Sequence, residues 1–112
     1  MIIPAGERAT EAELALALVE FLNRQIYGEA DFRTIFLHLS KYIKLSPADK
    51  EVSRSRPREL KWHTIIRNVG AHADQPGNAI HDGVLVKLRG GGFQLASRVK
   101  AHAGPSARSL SP

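Results

Sequence analysis

The sequence predicts a mostly helical α+β domain, with three principal helices followed by a C-terminal β-hairpin. Three observations carry this expectation. Apolar residues recur at three- and four-residue spacing in three separate stretches. Near the end, a glycine triplet interrupts a run of β-branched and apolar residues, the pattern of two short strands and a turn. With 112 residues, 43% hydrophobic and 24% charged, the chain has material for one modest core.

The first helix opens at Thr10-Glu11-Ala12-Glu13, which has the form of a capping box. The threonine hydroxyl takes the Glu13 amide while the Glu13 carboxylate reaches back to Thr10. Leu14, Leu18, Phe21, Leu22 and Ile26 are its expected buried stripe, and Gly28 its left-handed stop. Residues 1–9, with Pro4 and Gly6, read as a loosely held leader. Asp31 is the expected cap of the second helix, with Phe32, Ile35, Phe36, Leu39 and Ile43 inward and Arg33, His38, Lys41 and Lys44 outward. Ser46-Pro47 has the form of a further N-cap with proline in the first turn, opening a short helix in which Val52 is the only large apolar residue.

The third helix is expected over residues 57–71, opened by Pro57. Trp62, Ile65, Ile66 and Val69 fall at i, i+3, i+4 and i+7 and make its inner face, with Trp62 as the wedge against the other helices. The outer face carries Arg58, Lys61, His63, Thr64, Arg67 and Asn68, long donors with a hydroxyl and an amide, the groups that reach phosphates and base edges. Asn68 has two readings, groove contact or a cap at the helix end near Gly70. Residues 72–78, with Asp74, Pro76 and Gly77, form a turn-rich break. The hairpin follows over residues 84–96, with Val84, Val86 and Leu88 on one strand face, Phe93 and Leu95 on the other strand, and Lys87 and Arg89 at the tip. The domain is expected to end at residue 97, and residues 98–112 read as a flexible basic tail or linker.

Charge is polarised along the chain. The net formal charge is −3 over residues 1–40, +5 over 41–67 and +3 over 68–112, for a total of +5. An acidic first third and a basic remainder are the footprint expected of a protein that meets a polyanion. Without cysteine there is no disulfide framework and no thiolate metal site. No apolar run approaches the roughly 20 residues of a membrane span, so no membrane partner is expected and the location expected is cytoplasmic, with the nucleoid.

Other chemistries fit less well. Asp49 and Glu59-Leu60-Lys61 imitate the spacing of a metal-dependent nuclease, but Glu59 and Lys61 open a helix, with no sheet to hold the carboxylates together. The histidines, at 38, 63, 72, 81 and 102, include no i, i+4 pair of the kind that binds zinc on a helix. His63, when protonated, is a phosphate donor. Arg89-Gly90-Gly91-Gly92 lacks the lysine and hydroxyl of a phosphate loop and reads as a turn. No cofactor and no catalytic activity are expected.

Three helices and a basic-tipped hairpin follow the order of a winged helix-turn-helix, in which the third helix enters the major groove and the hairpin flanks it. The run Trp62-His63-Thr64-Ile65-Ile66-Arg67-Asn68, with Gly77-Asn78, Asp82-Gly83 and Gly91-Gly92-Phe93, resembles winged-helix domains attached to bacterial restriction endonucleases, the N-terminal domain of Mrr-type enzymes among them. The resemblance covers residues 10–97, with its specific residues confined to 62–93. It implies double-stranded DNA binding in a restriction, defence or regulatory setting and, in some such domains, preference for a modified base. A fused or associated nuclease is the implied partner, because the full enzymes carry a nuclease that these residues lack. By the same resemblance Arg67 and Asn68 face the groove, while Lys87 and Arg89 contact from the wing. The outer face adds Thr64 and His63 to the groove and gives Arg54, Arg56, Arg58 and Lys61 to phosphates. The alternative expectation is a winged-helix interaction or dimerisation module.

Overall fold

The computed structural model describes residues 8–99. It contains three α-helices and a three-stranded antiparallel sheet in the order α1 (Glu11–Asn23), β1 (Glu29–Ala30), α2 (Phe32–His38), α3 (Lys61–Ala71), β2 (Leu85–Lys87) and β3 (Phe93–Leu95). β3 lies between β1 and β2.

Local capping chemistry sets the helix starts. Thr10 and Glu13 form the reciprocal pair, with the Glu13 amide donating to Thr10 Oγ1 at 3.1 Å and the Thr10 amide donating to Glu13 Oε1 at 2.8 Å. Asp31 Oδ1 accepts from the Thr34 amide at 2.8 Å, and that bond holds its carboxyl below the usual aspartate range. The ends are less regular. α1 stops at Asn23, three residues before the expected Ile26, because Gln25 is extended and its Nε2 donates to the Phe21 carbonyl that would continue the ladder. Ile26 is therefore 79% exposed rather than part of the stripe. Beyond α2 a 3-10 turn over Leu39–Lys41 continues the inward face, burying Leu39.

The linker between α2 and α3 departs most from expectation. Ser46 and Asp49 do exchange hydrogen bonds like a cap, yet the amides of Asp49, Lys50 and Glu51 bond back three residues, making successive turns in place of the short helix. Val52 then pairs antiparallel with Leu60, and the Ser53 amide donates to the Glu59 carbonyl at 2.8 Å. Pro57 does not start α3. It is the second residue of a turn closed by the Glu59 amide on the Arg56 carbonyl, the position where its fixed φ suits a turn. α3 begins at Lys61, so Arg58 lies in the linker and not on the helix.

Trp62, Ile66 and Val69 bury against Leu14, Leu18 and Leu22 of α1, and Trp62 meets Phe36 edge-on at 5.8 Å. Burying each such side chain contributes about 1.5–3 kcal/mol. The sheet closes the other side of this core through Leu85, Phe93 and Leu95. The hairpin forms where expected and Phe93 and Leu95 face inward as expected, but the inward face of its first strand is the opposite one. Leu85 is fully buried while Val84 is 42% exposed, because Leu85 pairs with Leu95 and Lys87 with Phe93. One residue of register decides which set points inward. β1 was not expected; its two residues pair with Gln94 and Phe93. Asn78, placed by sequence in a simple turn, is buried and donates to the Val69 carbonyl at 2.8 Å, while its Oδ1 accepts from the Ile80 and His81 amides.

At the chain start the Ala9 amide donates to Asp49 Oδ1 at 2.9 Å, so the presumed leader is anchored by its last residue. Arg98 and Val99 likewise belong to the described domain, in and after a 3-10 turn over Ala96–Arg98. The expected tail over 100–112, and residues 1–7, lie outside the described residues.

Gly92 has φ +113, and a Cβ there would meet the Ala30 carbonyl oxygen at 2.3 Å; Gly90, at φ +90, has open space around it. Gly92→Ala is expected to cost about 2–5 kcal/mol and Gly90→Ala about 1–2, the difference being the clash with β1. Urea midpoints of the two variants check this, and equal midpoints contradict it.

Candidate nucleic-acid interface

Most of the polar face of α3 is already bonded within the molecule. The linker runs along its first two turns. Lys61 Nζ is 2.7 Å from Glu51 Oε1, and that bond holds the Glu51 carboxyl below its usual range. Thr64 Oγ1 donates to Ser53 Oγ at 2.8 Å. Arg67 forms a two-pronged pair with Glu59, Nε to Oε1 at 2.9 Å and Nη2 to Oε2 at 2.5 Å. Its guanidinium also lies over the Phe32 ring, 4.5 Å from the centroid, and 5.5 Å from that of Phe36. The hydrogen bond from Arg67 depresses the Glu59 carboxyl, and the same bond raises the Arg67 guanidinium further.

His63 is also engaged. Its ring stacks on Phe36 at 4.1 Å, and Nδ1 accepts from the Leu60 amide at 3.1 Å, which satisfies a backbone donor at the start of α3. Burial pushes its pKa down, which favours the neutral ring that this acceptor role requires. Protonation would remove the Leu60 acceptor, and in this arrangement His63 serves as a cap. The Asn68 side chain makes no hydrogen bond to a described residue. It borders a shallow depression with Arg8, Thr10 and Ile65, beside the start of α1 and away from the hairpin. At the C-terminus of α3 the His72 amide bonds the backbone carbonyl of Asn68, so the side chain is not the cap.

Besides Asn68, five of the predicted cations remain available. Arg54, Arg56 and Arg58 are exposed in the linker, Lys87 at the end of β2 and Arg89 in the hairpin turn. None makes a side-chain hydrogen bond or ion pair to a described residue. Three elements converge on one hollow of about 280 Å³, where Arg56 from the linker, Arg67 from α3 and Lys87 from β2 meet around Phe32 and Gly91. Gly70 permits this approach, since a Cβ there would lie 3.2 Å from Lys87 Cδ. Arg54, Arg58 and Arg89 lie outside the hollow.

Sequence reasoning missed Glu51, Ser53, Glu59 and Phe32 as the partners of this face. Glu59 and Arg67 are eight residues apart across a helix start, and Glu51 and Lys61 ten apart, spacings to which no helical pairing rule applies. The nuclease-like trio is dispersed. Asp49 is buried on the Ala9 and Ser46 amides, Glu59 is on Arg67 and Lys61 on Glu51. Among the described residues no three histidine or acidic side chains gather as a metal site, and no helix is long and apolar enough to cross a membrane. No protein-family model matches the chain, and neither a curated protein nor a solved structure matches it.

Because the folded-state pKa of Glu59 is depressed, its pair contributes stability that is fully present above the ordinary glutamate range and is lost as pH falls through the folded value. Wild type is therefore expected to lose more stability than Glu59→Gln between about pH 5 and about pH 3. Parallel urea-midpoint curves for the two proteins across that range would contradict the assignment.

Proposed function

We propose that the protein is a winged-helix module that binds double-stranded DNA and has no catalytic activity of its own. The observation that carries this reading is the convergence of cations from the linker, α3 and the hairpin. Arg54, Arg56 and Arg58 lie in the linker and Lys87 and Arg89 on the hairpin, with Arg56 and Lys87 meeting Arg67 across one hollow. A duplex presents closely spaced phosphates along its backbone, so a cluster of cations drawn from neighbouring elements suits it. The helix and strand order is compatible with a winged helix, in which α3 is the groove element and β2–β3 the wing. Asn68, whose side chain has no hydrogen bond to a described residue, is then the candidate reader of a base edge from the α1 side of the helix, and the exposed cations are phosphate ligands. The resemblance to restriction-associated winged helices adds a modified base as the target class and a fused or associated nuclease as the partner.

A second reading, a protein-interaction module, is favoured by one observation. Lys61, Thr64 and Arg67 are satisfied internally, while Leu16, Leu37 and Val52 stay 73%, 65% and 58% exposed.

Fluorescence anisotropy on a random duplex and its methylated counterparts, at two salt concentrations, separates the two. Five phosphate contacts give a log–log salt slope of about 4–5, and the triple change Arg54→Ala, Arg56→Ala, Arg58→Ala lowers it by about 3. No binding at low salt overturns the DNA reading in favour of the interaction module. Asn68→Ala is expected to cost about 1–3 kcal/mol on a preferred duplex. The same loss on every duplex assigns Asn68 to the backbone instead.

A further inference from the structure

We infer that Arg67 is a phosphate ligand held in reserve, with the Glu59 carboxylate occupying its fork until a DNA phosphodiester displaces it. The inference rests on the DNA-binding reading and adds a control to it. A carboxylate and a phosphodiester each offer a guanidinium two oxygens in one plane, so the fork that grips Glu59 through Nε and Nη2 suits either anion.

Three features suit the exchange. First, Arg67 borders the same hollow as Arg56 and Lys87, which have no ion-pair partner among the described residues. An incoming phosphate therefore meets two cations beside the occupied third. Secondly, Glu59 sits at the end of the exposed linker, and its backbone is fixed independently of its side chain. Its carbonyl accepts from the Ser53 amide and its amide donates to the Arg56 carbonyl. The carboxylate can swing to solvent without moving the linker. Thirdly, the guanidinium rests on the Phe32 ring, which keeps it aimed after Glu59 leaves, so little ordering remains to be done on binding.

The exchange replaces one anion on Arg67 by another, and at no stage need the half-buried guanidinium stand unpaired. Its consequence is selectivity. An isolated anion must compete with a tethered carboxylate at high effective concentration, whereas a duplex brings several phosphates to neighbouring cations at once. Glu59 thus sets a threshold that a polyanion passes and a single phosphate does not.

The test uses the full chain as wild type, Glu59→Gln, Arg67→Ala and the double variant, titrated against a short duplex by anisotropy at two salt concentrations. Urea midpoints at pH 7 establish that each protein is folded. Glu59→Gln keeps the side-chain shape and removes the competing charge. It is expected to bind about tenfold tighter, with a salt slope steeper by about 1, and both gains should vanish in the Arg67→Ala background. Inorganic phosphate should compete with the duplex on Glu59→Gln at lower concentration than on wild type. Unchanged or weaker binding by Glu59→Gln, beside a wild type that binds, overturns the inference and leaves the DNA reading intact. A gain that persists without Arg67 also overturns it, since general charge then accounts for the effect. Failure of wild type and Glu59→Gln alike to bind at low salt removes the DNA reading and this inference together.

Discussion

The buried Asp49 carboxylate accepts from the Ala9 amide on one oxygen and from the Ser46 amide and hydroxyl on the other, while the Asp49 carbonyl takes the Trp62 amide at 3.1 Å. One residue thereby joins the approach to α1, the linker and the first turn of α3. The arrangement tolerates little change, because a buried carboxylate deprived of its donors is costly. It also decides what α3 can offer a ligand. The Lys61 amide bonds the Glu51 carbonyl and the Trp62 amide bonds Asp49, so these donors at the start of the helix are spent on the linker. A helix N-terminus is ordinarily a ready anion site; on the DNA-binding reading, recognition of phosphate would fall to side chains.

Those side chains divide into two populations. Lys61, Thr64 and Arg67 are held by partners on the linker, whereas Arg54, Arg56, Arg58, Lys87 and Arg89 stand exposed on loops and strand ends. The engaged group sits on the rigid helix and the exposed group on the elements around it. Encounter with a polyanion would be governed by the exposed cations, whose long-range attraction is strong and geometrically undemanding. Discrimination would then depend on the engaged group, whose release requires a ligand with the right shape. The split between attraction and selection follows from where the linker lies.

The readable parts of the fold were those whose cause is local in sequence. Thr10 with Glu13, and Asp31 with Thr34, bond across three residues, and the stripe of Trp62, Ile66 and Val69 follows from helical period alone. The parts not readable depend on partners distant in the chain. Pro57 fits a helix start or the second position of a turn, and only the Val52–Leu60 pairing selects the turn. Val84 and Leu85 are both apolar, and the choice between them is made by the register with β3. β1 is two residues long and has no period of its own. At the candidate site the cationic residue types were legible, but their availability was not. Nothing local to Arg67 announces that Glu59 fills its fork, and nothing local to Asn68 places it beside α1 instead of the hairpin.

The close seating of Gly92 against Ala30 bears on how the hairpin would serve a ligand. With Gly92 of its turn pressed onto the β1–α2 junction and Phe93 buried beneath, the turn end of the hairpin is tied to the core. The strand that ends in Lys87 is thereby tied to the body of the domain. Were a ligand to meet this edge, adjustment would be left to the reach of the lysine and arginine stems. A change that repacked the core would therefore move the hairpin cations along with it.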